Sequence, residues 1–141
     1  MRLPLAVLAL VVAAGNTAAQ AGPVRPGIEV LLTDSLHLIR GKRVGLITNH
    51  SGRARDGTSS IDLLFRTPGV KLAALFGPEH GLRGIAQAGE KVASAVDSTT
   101  GVPVYSLYGD IRVPTPAMLD KVDVLLYDIQ DVGARVYTFE W

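Results

Sequence analysis

Val70-Lys71-Leu72-Ala73-Ala74-Leu75-Phe76 runs straight into Gly77-Pro78-Glu79-His80-Gly81-Leu82-Arg83-Gly84. The first seven residues are almost wholly apolar, which predicts a buried strand. The next eight hold three glycines and one proline around a carboxylate, an imidazole and a guanidinium. Glycine and proline there forbid regular structure and let the backbone turn tightly. A strand that ends by presenting Glu79, His80 and Arg83 on a shaped loop is where open α/β sheets keep their ligands. A plain polar surface turn is the alternative, and this loop alone does not separate the two.

The neighbouring segments decide the fold class. Arg43 to Thr48 is a short apolar run with β-branched residues, a second buried strand that ends in the polar turn Asn49-His50-Ser51-Gly52. Val102 to Leu107 reads as a strand whose Pro103 places it at an edge or marks its start. Val122 to Asp128 is the most strand-like segment of the chain. Between these strands, Gly27 to Arg40 sets Ile28, Leu31, Leu32, Leu36 and Ile39 near helical spacing, with Gly41 as the stop. Thr58 to Arg66 predicts a helix with Ile61, Leu64 and Phe65 on one side, and Pro114-Thr115-Pro116 opens a short one through Leu119. Ala86 to Thr100 is weakly patterned and predicted irregular. Near-continuous apolar strands alternating with helices predict an α/β fold: a Rossmann-like parallel sheet covered by flanking helices.

Composition narrows the setting. Met1-Arg2 forms a positive start, Leu3 to Ala14 an apolar stretch of 12 residues, and Ala19-Gln20-Ala21 a small-x-small cleavage pattern. Residues 1–21 therefore read as a signal peptide, with an uncleaved anchor as the alternative. The stretch falls short of the roughly 20 residues a membrane crossing needs, so no stable membrane insertion is expected after cleavage. Residues 22–141 then form one domain, placed in the periplasm or secreted. Without Arg2 they hold 13 basic and 13 acidic residues and show no basic stripe, which argues against nucleic acid as a partner. The chain has no cysteine, hence no disulfide and no thiolate metal site.

In a parallel sheet the carboxyl ends of the strands share one edge. Three polar clusters are expected there: Thr48-Asn49-His50, Glu79 to Arg83, and Asp128-Ile129-Gln130-Asp131-Val132-Gly133-Ala134-Arg135. Neither a Gly-x-Gly-x-x-Gly turn after the first strand nor a Walker-type lysine loop is present, so no nucleotide cofactor is expected. The fold is put to another use.

Four motifs resemble the DUF1343 family: Gly45-Leu46-Ile47-Thr48-Asn49, Phe76 to Gly84, Pro103-Val104-Tyr105-Ser106-Leu107-Tyr108-Gly109, and Asp128 to Thr138. That family includes the exo-β-N-acetylmuramidases called NamZ, which release N-acetylmuramic acid from the non-reducing ends of peptidoglycan fragments. The resemblance runs from about Gly27 to Trp141. It implies a Rossmann-like N-terminal domain, here incomplete, whose smaller C-terminal partner domain is absent from this chain, with the substrate cleft between the two. It also implies muramyl sugars as the partner.

Glu79 matches the family glutamate regarded as catalytic. Proline and glycines hold its backbone, and Phe76 offers apolar surroundings that favour a protonated acid. Glycoside hydrolysis usually needs a second carboxylate. Asp128 and Asp131 are the candidates, either of which serves equally as a helix cap. His80 orients the acid, holds a sugar hydroxyl or simply braces its loop. Arg83 and Arg135 are candidate anchors for the lactyl carboxylate, with a salt bridge as the alternative for each. Asn49, His50 and Gln130 are candidate contacts to the sugar. Tyr105, Tyr108 and Tyr137 are candidate stacking platforms, though Tyr105 alternates with Val104 as a core residue would. Two other readings remain: a non-catalytic periplasmic muramyl-sugar-binding module, and a metal-dependent hydrolase using His50, His80, Asp128 and Asp131. Against the latter, no two histidines lie at ligand spacing.

Overall fold

The computed structural model describes residues 23–78, 82–83 and 95–130. The expected signal segment, the predicted irregular stretch up to residue 94 and the start of a helix after residue 133 lie outside them.

Among the described residues the chain folds as α1 (Gly27–Asp34), β1 (Arg43–Thr48), α2 (Ser60–Arg66), β2 (Lys71–Gly77), β3 (Ala95–Val96), β4 (Pro103–Ser106), α3 (Pro116–Leu119) and β5 (Val124–Asp128). The strands form one sheet in the order β3-β4-β2-β1-β5. β1 pairs parallel with both β2 and β5, and β2 pairs parallel with β4. Only β3 runs antiparallel, against β4. The expected α/β sheet with flanking helices is present, and the short antiparallel β3 is the departure from it. Ala95 and Val96 are too few to carry a period, so their pairing left no pattern to read.

The parallel strands bury side chains on both faces, for the reason their composition suggested. Val44 and Leu46 alternate toward α1 and α2 and pack with Leu72, Leu75, Ile28, Ile39, Ile61 and Leu64. On the other face Phe76 is fully buried, and its ring lies 5.5 Å from that of Tyr105. Tyr105 is partly buried against that ring. Gly45 makes this face possible, because a Cβ there would stand 3.0 Å from Leu125 and 3.1 Å from the Phe76 ring. β5 is less covered: Val124 and Leu126 join the core, while Leu125 and Tyr127 are exposed on the opposite face.

Three local expectations need correction. The helix predicted to Arg40 stops at Asp34 and resumes as a single 3-10 turn over Leu36–Leu38. Side chains compete there: the Thr33 hydroxyl donates to the Glu29 carbonyl, and Arg25 draws the Asp34 carboxylate away. Gly41, expected as the stop, ends neither element; it takes a left-handed conformation, φ 73°, in the turn that leads to β1. In α2 the buried stripe is Ser60, Ile61 and Leu64, with Leu63 against the core, and Phe65 faces solvent. β4 ends at Ser106, and Leu107 instead donates its N–H to the Gly77 carbonyl. Pro103 opens that strand, where its missing N–H costs nothing.

Candidate functional site

The carboxyl ends of β1, β2 and β5 lie side by side, so the polar clusters that follow β1 and β5 share one edge of the sheet. Thr48 stands opposite Asp128 in register. The Thr48 hydroxyl, fully buried, donates to the Asp128 carbonyl at 2.7 Å. The Asp128 carboxylate accepts a short hydrogen bond from Ser60, the first residue of α2. Gly52 passes tightly beneath this pair. A Cβ on it would collide with the Thr48 hydroxyl and stand 2.8 Å from the Asp128 carbonyl. The chain therefore crosses from β1 to α2 against the end of β5, and only a glycine fits.

Asn49 is buried at the same edge. Its Oδ1 accepts the backbone N–H and the hydroxyl of Ser51, at 2.8 and 2.6 Å, an Asx-type turn that orients the amide. Among the described residues its Nδ2 has no partner. The Ser51 hydroxyl in turn accepts the Gln130 backbone N–H at 2.9 Å. Asn49, Asp128 and Gln130, singled out separately in the sequence, thus belong to one hydrogen-bonded edge joined through Ser51, Thr48 and Ser60.

Beside it opens a cleft of about 410 Å³ lined by His50, Arg53, Thr58, Ser59, Asp62, Leu82 and Arg83. His50 and Arg83 both reach it, as their places at the ends of β1 and β2 suggested. Arg83 is not free there. Its Nε and Nη2 grip both oxygens of Asp97 at 2.8 and 3.0 Å, and Nη2 also meets Asp62 at 3.3 Å. This grip, with help from Thr100, holds the largely buried Asp97 carboxyl down at about 2. The same hydrogen bonds push the Arg83 guanidinium further up from its ordinary value. A larger, shallower hollow of about 640 Å³ lies between α1 and the loop after β1. It is spanned by the Arg55–Glu29 ion pair and holds none of the residues singled out in the sequence.

Glu79, His80, Asp131, Arg135 and Tyr137 lie outside the described residues. Among the described residues no three histidine, aspartate or glutamate side chains stand together so as to hold a metal. The sequence reading missed Ser51, Arg53, Ser60, Asp62 and Asp97. Ser51 carried a readable signal, since a serine two residues after Asn49 suits an Asx turn. Ser60 and Asp97 carried none, because their partners are 68 and 14 residues away.

Residues 44–141 match the family described as exo-beta-N-acetylmuramidase NamZ, N-terminal. The chain belongs to the NamZ family. It is 55% identical over 124 residues to the peptidoglycan beta-N-acetylmuramidase NamZ of Bacillus subtilis strain 168. That match takes in 88% of this chain but only 30% of the relative, so the chain spans about a third of a NamZ protein's length. Two crystal structures of DUF1343 family proteins from Bacteroides fragilis NCTC 9343 share the fold. One is 52% identical with a TM-score of 0.73, over 82% of this chain and 28% of its own. The other is 36% identical with a TM-score of 0.56, over 73% of this chain and 25% of its own. Fold and NamZ kinship agree with the resemblance carried by the four motifs.

Proposed function

We propose that this chain is the N-terminal part of an exo-β-N-acetylmuramidase that removes N-acetylmuramic acid from the non-reducing ends of peptidoglycan fragments. The observation that carries the reading is the 55% identity to a protein named for that reaction, over nearly the whole chain. The polar sheet edge suits it. Glycosidic cleavage needs one carboxyl group to protonate the leaving oxygen and commonly a second as nucleophile or base. Glu79, which follows β2 in the sequence, takes the first role. Asp128 is the second-carboxylate candidate among the described residues, held by Ser60 at the end of β5. Asp131 remains the other candidate. Asn49, His50 and Gln130 line the approach of the sugar. Residues 1–21 direct export, which places the enzyme where peptidoglycan is.

The test is turnover of a chromogenic N-acetylmuramide by the full-length protein, with the matching N-acetylglucosaminide as control. Release from the muramide supports the reading. Saturable binding of muramyl sugars without release would make the protein a sugar-binding module instead.

A further inference from the structure

We propose that Arg53 recognises the carboxylate that distinguishes muramic acid from glucosamine. The inference deepens the muramidase reading and rests on it. Muramic acid carries a lactyl ether with a carboxylate where glucosamine has a hydroxyl, so discrimination calls for a cation at the site. Two guanidinium groups line the cleft beyond β1 and β2, Arg53 and Arg83. Arg83 is taken: Asp97 holds Nε and Nη2, and Asp62 shares the latter. Its positive charge is already offset by two carboxylates.

Arg53 differs in what holds it. Its Nε donates to the His50 carbonyl at 2.7 Å and its Nη1 to the Gly57 carbonyl at 2.9 Å. Both partners are neutral, and no carboxylate reaches it among the described residues. Among the described residues its positive charge is thus paired with no carboxylate, while the side chain is already oriented. Its backbone is fixed as well. Arg53 bridges to Ser59 across the loop, Gly52 before it accepts the Ser60 N–H, and Ala54 after it binds Thr58. A guanidinium ordered in advance loses little rotamer freedom on binding, and Nη2 is left to meet a carboxylate oxygen.

The experiment is calorimetric binding of N-acetylmuramic acid and of N-acetylglucosamine to the full-length protein, wild type, Arg53→Gln and Arg53→Lys. The amide of glutamine can still donate to a loop carbonyl, and circular dichroism checks the fold. The wild type should prefer the acidic sugar. Arg53→Gln should lower that preference at least tenfold, the scale of a lost charge-assisted hydrogen bond, with N-acetylglucosamine binding nearly unchanged. Arg53→Lys should recover part of it, since it keeps the charge but loses the fork. Unchanged preference in Arg53→Gln overturns the assignment. So does an equal loss for both sugars, which makes Arg53 a brace of its loop. If Arg53→Gln does not fold, Arg53→Lys carries the test: a several-fold lower preference supports the assignment and an unchanged one overturns it. A wild-type protein that binds both sugars alike removes the muramidase reading itself, and the assignment falls with it.

Discussion

The hydroxyl of Ser60 donates a hydrogen bond to the carboxylate of Asp128, joining the first turn of α2 to the last residue of β5 across 68 residues of sequence. Ser60 is fully buried and Asp128 half-buried, so solvent replaces this donor only in part when it is lost. Ser60→Ala should therefore cost about 2 kcal/mol of stability, the scale of a hydrogen bond to a charged group. Urea unfolding of wild type and variant measures it. A change of only a few tenths of a kcal/mol would show that the bond does not hold the two elements together.

Gly52 makes the same junction from the other side. Gly52→Ala puts a methyl group into the Thr48 hydroxyl and against the Asp128 carbonyl, so one of these buried groups must move. Forced overpacking costs about 1–3 kcal/mol, which should lower the thermal midpoint by several degrees. Gly57→Ala is a useful contrast: nothing lies within 4 Å of its Cβ, but its φ of 84° disfavours any side chain. It should be destabilised through backbone strain, with Thr48 and Asp128 left in place. Crystal structures of the two variants tell these causes apart.

Stability should fall in acid, with a window set by Asp97. Hydrogen bonds from Arg83 hold its carboxyl at about 2 in the folded protein, below the ordinary 3.8. A depressed folded value gives a contribution that is complete above the unfolded value and lost as pH falls through the folded one. The window therefore runs from about pH 4 down to about pH 2, and the size is roughly 2 kcal/mol. Asp97→Asn should remove this component, so the stability gap between wild type and variant should shrink as pH drops through the window. Urea midpoints at pH 5, 3.5 and 2.5 give the comparison. Asp123 is also held at about 2, by Arg43, but in open solvent, where salt screens the pair.

Two carboxylate substitutions address the chemistry in the full-length protein. Glu79→Gln keeps size and shape but cannot deliver a proton, so muramide turnover should fall by about 10²–10⁴-fold or more while sugar binding persists. Asp128→Asn still accepts a hydrogen bond from Ser60, so the fold should hold. A large loss of turnover would then mark Asp128 as the second reacting group. Full turnover in Asp128→Asn passes that role to Asp131, and full turnover in Glu79→Gln removes the acid assignment.

Local chemistry made much of the scaffold legible. Arg43 to Thr48, Val70 to Phe76 and the end of Val122 to Asp128 are apolar enough to be strands in any context, and all three are. Gly41 announced a break in regular structure, and its left-handed backbone turns the chain toward β1. The helix through Arg40 was misread because period alone does not register the Thr33 hydroxyl on the Glu29 carbonyl or the pull of Arg25 on Asp34. Phe65 was misread because a short helix shows several possible stripes, and only the sheet beneath it selects Ile61 and Leu64.

The sequence by itself determined which segments are the four parallel strands, that their carboxyl ends carry Asn49, His50, Arg83, Asp128 and Gln130, and, through four motifs, the family. These follow from local composition and order. Tertiary structure alone decided that β5 lies beside β1, which sets Thr48 opposite Asp128 and brings Ser60 to its carboxylate. It also decided that Arg83 is held by Asp97 and Asp62 while, among the described residues, Arg53 meets only carbonyls. Strand order and ion pairing depend on how distant segments pack. The period of a strand specifies which face is buried but carries no record of its neighbour, so partners dozens of residues apart are chosen only when the sheet closes.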